Sequence, residues 1–313
     1  MGLRRRHGAP VHGWLPLHKE SGISSNQALQ RLLRLTGAAK GGHGGTLDPF
    51  AEGVLPVALG EATKTVSFVL AGDKQYRFWL QFGAETDTDD RTGAVTVQGG
   101  PLPGRVGIEQ VLPQFVGVIE QQVPVYSAVH IDGERAYRLA RRGAVVDMPV
   151  REVRIDRLSL LDYDDESGVA CLEVACGSGT YVRALARAIG RAVGCPGHLQ
   201  RLLRTSALGF ELAQAHSLDR IEQQVQQGRV GELLLPVDCV LEGLPAVRLS
   251  PEAWEQVRNG REVRWAPDAL GVADGNKIRL MTPDGVFAAL ATWVDQVDQN
   301  GSGVIVPNRL FNL

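Results

Sequence analysis

The residues best suited to chemistry lie in one short run, Gly41-Gly42-His43-Gly44-Gly45-Thr46-Leu47-Asp48-Pro49. Its glycines and proline exclude regular structure and permit a close backbone approach to another molecule. Asp48, held between a glycine-rich loop and a proline, has a fixed backbone, so its carboxylate is positioned rather than merely solvated. A positioned carboxylate is a candidate for covalent or acid–base chemistry. An aspartate before proline is also an ordinary turn residue, and the dipeptide alone favours that reading. The glycines do not form a nucleotide loop, because GxxxxGK[ST] is absent and no lysine follows them.

Two runs of arginine form the second group: Arg183, Arg187, Arg191, Arg201 and Arg204, then Arg135, Arg138, Arg141 and Arg142, with no acid inside either stretch. Such stripes suit phosphate contact, although a solvated helix face is the plainer explanation of either one. Cys171, Cys176, Cys195 and Cys239 lack the paired spacing of zinc sites and read as buried thiols.

The elements that must carry these residues are set by periodicity. A helix is expected from Ser25, with Leu29, Leu32 and Leu33 on one face and Gly37 as its stop. Strands are expected at 76–82, 95–97, 153–161 and 169–175, and Thr180 can cap a helix from about Tyr181 to Val193. This mixture implies an α+β fold with a mixed central sheet flanked by helices. Beyond about residue 242 come short β-like pieces at 262–265, 277–281, 286–293 and 304–306. One helix lies among them, with Ser250 as cap, Pro251 at its first position and Gly260 past its end. A small β-barrel fits that spacing.

The 313 residues therefore divide into an expected catalytic domain over 8–242, with an insertion near 123–152, and a second domain over 243–313. A net charge of −2 argues against a uniformly basic nucleic-acid binder and leaves the local stripes as the relevant charge. No run approaches the roughly 18 apolar residues of a membrane span. The residues after Arg4-Arg5-Arg6 do not form the apolar run of an export signal, so a cytoplasmic protein is expected.

The string His43 to Pro49, with Ala51, Gly53, Val54, Leu55 and Pro56 behind it and Gly60-Glu61-Ala62-Thr63-Lys64 after, resembles the catalytic signature of the TruB family of tRNA pseudouridine-55 synthases. The resemblance continues through Asp73-Lys74-Gln75-Tyr76, Gly83 to Asp89, Tyr126-Ser127-Ala128, Arg135-Ala136-Tyr137, Gly179 to Arg183 and His198 to Arg204. It covers most of residues 13–215, in family order and at similar spacing.

The resemblance implies a pseudouridine synthase fold with a PUA-like C-terminal domain. It implies roles for seven residues. Asp48 acts on the target nucleoside as nucleophile or base, and Arg183 pairs with it. Tyr76 stacks on the flipped base and has a proposed part in moving a ribose proton. His43 fills the space the base leaves, Tyr181 and Leu202 line the uracil pocket, and Lys19 lies near the site. Two departures from the family pattern, His18-Lys19-Glu20 and Gly177-Ser178, bear on RNA affinity rather than on these roles.

The implied reaction is redox neutral, so no cofactor or metal is expected. The implied partner is the T-arm of tRNA; a monomer without an obligatory protein partner is the default expectation. A non-catalytic tRNA chaperone and a guide-RNA-dependent synthase are the rivals. The segment from Val123 to Arg151 and the lack of a lysine-rich tail favour the stand-alone form.

Overall fold

Ser24 opens the first helix with a reciprocal cap: its hydroxyl accepts from the Gln27 amide, and the Gln27 side chain accepts from the Ser24 amide. Helix α1 (Ser25–Thr36) then ends at Gly37, whose φ of 65° suits a residue without a side chain. The protein is seen in a computed structural model that describes residues 10–70, 72–127, 129–131, 133–142, 146–265, 272–295 and 303–313. Arg4 to Arg6, Ala128 and the side chains of Arg135, Tyr137 and Arg141 lie outside the described residues.

The first strands are β1 (Gly13–Lys19), β2 (Gly41–His43), β3 (Glu52–Leu59), β4 (Lys74–Phe82), β5 (Ala84–Thr86), β6 (Val95–Gln98) and β7 (Gly117–Gln122). After them come β8 (His130–Ile131), β9 (Glu134–Arg135), β10 (Val150–Asp164), β11 (Val169–Cys176), β12 (Gly197–Ala207) and β13 (Phe210–Glu211). Nine of these make one mixed sheet in the order β1-β3-β12-β4-β11-β10-β7, with β2 on β3 and β13 on β12. Helices α2 (Val66–Val69), α3 (Arg105–Val111), α4 (Ala136–Arg141), α5 (Val182–Ala192) and α6 (Leu218–Gln226) connect or flank it.

The sheet forms because its inner strands bury at least one face, while the edge strand β7 is largely exposed. In β11 buried residues alternate with half-buried ones, the period-two pattern of a strand with one covered side. Strand β3 is buried on both faces. Leu55, Val57 and Leu59 enter the main core with α1, α5 and α6, while Val54 and Ala58 join Trp14, Phe287, Leu290 and Phe311 in a second core.

That second core ties the sheet to the C-terminal part, which holds β14 (Ala246–Arg248), α7 (Pro251–Arg258), β15 (Val263–Trp265), β16 (Lys277–Met281), β17 (Phe287–Val294) and β18 (Gly303–Leu310). These strands order as β14-β16-β17-β18-β15 and curl into a half-barrel around Trp293, Ile278 and Leu280. The fold is the expected α+β arrangement, and the expected strands and Ser250-capped helix are present. Three details differ. Gly41–His43 is a strand, because β3 offers its edge to the loop backbone. Tyr181, not Thr180, is the cap residue of α5, since the Thr180 hydroxyl donates back to the Gly177 carbonyl. The basic run at 197–205 is the central strand β12 rather than a helix face.

Candidate active site

The loop between β2 and β3 is pinned on both sides of Asp48. Before it, the Ser25 hydroxyl accepts from the Leu47 amide at 2.8 Å and donates to the Leu47 carbonyl at 2.9 Å. After it, the Gly22 amide donates to the Pro49 carbonyl at 2.8 Å and Ser21 to that of Phe50 at 2.7 Å. Leu47 and Phe50 point into the core, while the Asp48 side chain stays 34% exposed. The backbone thus holds a carboxylate at the surface of a cleft without burying it.

Arg183, at the start of α5, meets that carboxylate with a two-pronged contact: Nε donates to Oδ2 at 2.9 Å and Nη2 to Oδ1 at 3.3 Å. The guanidinium is itself buried, with Nη1 donating to the Thr88 carbonyl at 3.0 Å and Nη2 to the Tyr126 carbonyl at 2.9 Å. A second acid, Asp90, stands 3.9 Å from Nε. Its other oxygen accepts from the Thr88 and Thr92 hydroxyls and the Thr92 amide, so it cannot swing onto Arg183 without breaking that turn. Asp90 was not anticipated from the sequence; the turn-forming run Asp87-Thr88-Asp89-Asp90-Arg91-Thr92 was the signal available.

Tyr76 lies on β4 and is buried, with Leu202 two strand positions away on β12 in the same core. Burial raises the phenol pKa, and the charge and hydrogen bonding of nearby Arg204 oppose that rise. His43 is half-buried on β2 with Nδ1 unpaired, and its pKa is lowered by burial and then by the Arg204 charge. Tyr181 packs against Val123, Ala136 and Met148, and its amide donates to Gln121 Oε1 at 2.7 Å.

Lys19 is wholly enclosed. Its ammonium donates to the carbonyls of Ile23 at 2.7 Å, Glu20 at 2.9 Å and Pro49 at 3.3 Å. Burial lowers its pKa to about 8 against the pull of the Asp48 charge. It braces the loop from below rather than reaching toward solvent.

The first arginine stripe is not a free cationic surface. Arg187 pairs with Asp89 at 2.6 Å and Arg191 with Glu85 at 2.7 Å. Arg201 pairs with Glu52 at 2.6 Å and covers the Trp79 ring, and Arg204 is buried in β12. Arg191 and Arg201 nonetheless keep more than half of their side-chain surface open, whereas Arg187 is largely covered. In the second stripe Arg142 pairs with Glu134. Cys176 and Cys195 are buried thiols, Cys171 and Cys239 partly so. Among the described residues no cluster of His, Cys, Asp and Glu could hold a metal, and no helix is long and apolar enough to cross a membrane.

Residues 33–182 match the TruB family pseudouridylate synthase N-terminal domain. The whole chain is 41% identical to the tRNA pseudouridine synthase B of Rhodopseudomonas palustris, covering 84% of that protein. It is 43% identical, over 99% of its length, to the tRNA pseudouridine synthase B of Bradyrhizobium diazoefficiens, covering 88% of it. In fold it is similar to a chain of a Cbf5-Nop10-Gar1 complex, with a TM-score of 0.70 and 23% identity over 96% of this chain and 84% of that one. A chain of an H/ACA RNP bound to a substrate RNA gives a TM-score of 0.72 at 22% identity, over 96% and 86%.

Proposed function

The chain belongs to the TruB family of pseudouridylate synthases, and from that premise we propose that it isomerises a uridine of tRNA to pseudouridine, at position 55 of the T-loop. The observation that carries this reading is the pinned, partly exposed Asp48 gripped by the buried Arg183 fork. A carboxylate with a fixed direction and an open face can act on a nucleoside presented from outside.

The reaction breaks the bond between C1′ and N1 of uridine, turns the freed uracil, joins C1′ to C5 and releases the C5 proton while N1 takes one up. No atoms are gained and nothing is oxidised, so the chemistry asks for no carrier. Asp48 is the group that acts at the ribose or base, and Arg183 holds it. Tyr76 gives the flipped uracil a stacking face worth about 1–3 kcal/mol, of the order of the cost of extrusion. Tyr181 and Leu202 complete the pocket wall, and His43 occupies the gap left in the RNA loop. Lys19 supports the site through the Pro49 carbonyl.

The catalytic domain is assigned to 8–242, with its insertion near 123–152 meeting the RNA, and the PUA-like half-barrel over 243–313 extends the grip on the T-arm. The protein acts in the cytoplasm as a monomer without a guide RNA or an obligatory partner. Incubating purified protein alone with unmodified tRNA, followed by mass mapping, tests the site and the stand-alone action together. Asp48→Asn is expected to abolish tritium release from RNA labelled at uridine C5 while RNA binding persists, because the amide is neither nucleophile nor base. Full activity in that variant overturns the assignment.

A further inference from the structure

Arg204 on β12 is wholly buried, and among the described residues no carboxylate pairs with it. Its Nε donates to the Val54 carbonyl on β3 at 2.7 Å, and Nη2 donates to the Gly45 carbonyl at 3.1 Å. The third nitrogen, Nη1, is buried without a well-formed hydrogen bond. Burying an ion is costly, and an unused donor on it adds to that cost. A guanidinium kept in this state has a use beyond packing.

Its surroundings point to that use. Arg204 faces Tyr76 directly across the β4–β12 ladder, so both side chains stand on one face of the sheet. The ladder slips immediately after this pair, between Arg204 and Ser206, and such a bulge re-aims the side chains beside it. One glycine lets the neighbouring backbone close on the arginine, and a second, beside its Nη1, is required by its left-handed backbone rather than by crowding. Gly53, at φ 107°, lies where any Cβ would overlap the Arg204 carbonyl oxygen. Gly45, at φ 119°, would set a Cβ 3.6 Å from Nη1. Burial and then the Arg204 charge depress the pKa of both His43 and Lys74. Burial works against the Tyr76 phenolate, and Arg204 works for it.

We propose that Arg204 is a positioning residue for the isomerisation: itself held by the Val54 and Gly45 carbonyls, it presents Nη1 to the Tyr76 hydroxyl, aiming the phenol at the nucleoside held by Asp48. This rests on the reading that the chain isomerises uridine. Arg204 touches no reacting atom; it acts through Tyr76, so its loss slows the chemical step and leaves RNA affinity alone.

The test is a double-mutant cycle of R204K and Y76F in single-turnover tritium release, with RNA affinity measured by filter binding and folding by circular dichroism. R204K is expected to bind tRNA within about threefold of the parent yet release tritium at least tenfold more slowly. Added to Y76F, it is expected to cost little more than Y76F alone, because the hydroxyl it serves is already gone. An R204K protein of parental rate, losses that multiply in the double variant, or an R204K protein that fails to fold each overturn the proposal. A parent protein that releases no tritium sinks the underlying reading instead.

Discussion

At the scale of single residues, the two-pronged contact between Arg183 and Asp48 sets a direction that a single point charge cannot. Lysine at position 183 keeps the charge but loses the fork and the paired bonds to the Thr88 and Tyr126 carbonyls. A hydrogen bond involving a charged group is worth about 1.5–3 kcal/mol, so Arg183→Lys is expected to slow single-turnover tritium release by about a hundredfold. Affinity for tRNA should hold, because the buried guanidinium offers RNA no surface. Asp48 itself was legible in the sequence because glycines on one side and proline on the other restrict its backbone. Its anchors at Ser25 and Gly22 were not, and Lys19 was placed near the site by resemblance alone, since nothing in the spacing says that residues more than twenty positions earlier fold back under the loop. The seven residues implied by resemblance are not gathered in one way. Asp48 and Arg183 touch, Tyr76 and Leu202 share a core, His43 stands half-buried on β2, and Lys19 and Tyr181 are held by backbone contacts or packing.

At the scale of elements, charge in the sequence proved a poor guide to exposure. The stripe from Arg183 to Arg204 spans the start of α5, its outer face and then a central strand, and the acids that answer it lie 98 to 149 residues earlier: Asp89 in the turn after β5, Glu85 in β5 itself, Asp48 just before β3 and Glu52 at its start. Arg187 makes a close pair with a deeply enclosed acid, because the Asp89 side chain is only 6% exposed. Burial raises the Asp89 pKa, and the Arg187 charge is the chief opposing influence. Arg187→Ala leaves that carboxylate buried and unpaired, with an expected loss of about 3 kcal/mol, read as a lower urea midpoint at unchanged m-value. Elements with one buried face were visible from alternation, as in β4 and β11. Strand β3 was not, because both its faces are covered and its run of apolar residues carries no period. Strand β12 was hidden for the opposite reason, its arginines breaking the apolar pattern while their side chains find partners inside the fold.

At the scale of the whole molecule, the C-terminal half-barrel is bolted to the first sheet rather than strung from it. Phe287, Leu290 and Phe311 fill the core beneath Trp14 and β3, and a polar latch closes over them. Glu61 accepts from Lys40 at 3.2 Å, from Lys64 and from the Asn312 amide at 3.0 Å. Lys64 also donates to the Leu310 carbonyl at 2.6 Å and lies 5.4 Å from the Phe311 ring centroid. The Gly60 to Lys64 motif that stood out in the sequence thus serves the junction between the two sheets. Burial disfavours the Glu61 carboxylate, but its three donors outweigh burial and hold the pKa at about 2, against an ordinary 4.5. A depressed acid contributes stability that is whole above pH 4.5 and disappears as pH falls through about 2. Screening at the half-exposed Lys40 limits this to on the order of 2 kcal/mol. Glu61→Gln should therefore melt several degrees below the parent at pH 6, and the gap should close as both are acidified toward pH 2. Near-ultraviolet circular dichroism of Trp14, buried in the shared core, reports whether that melting begins where the two sheets meet. A gap that stays constant with pH would show that the latch acts through shape alone, and one that widens on acidification would reverse the sign of the linkage.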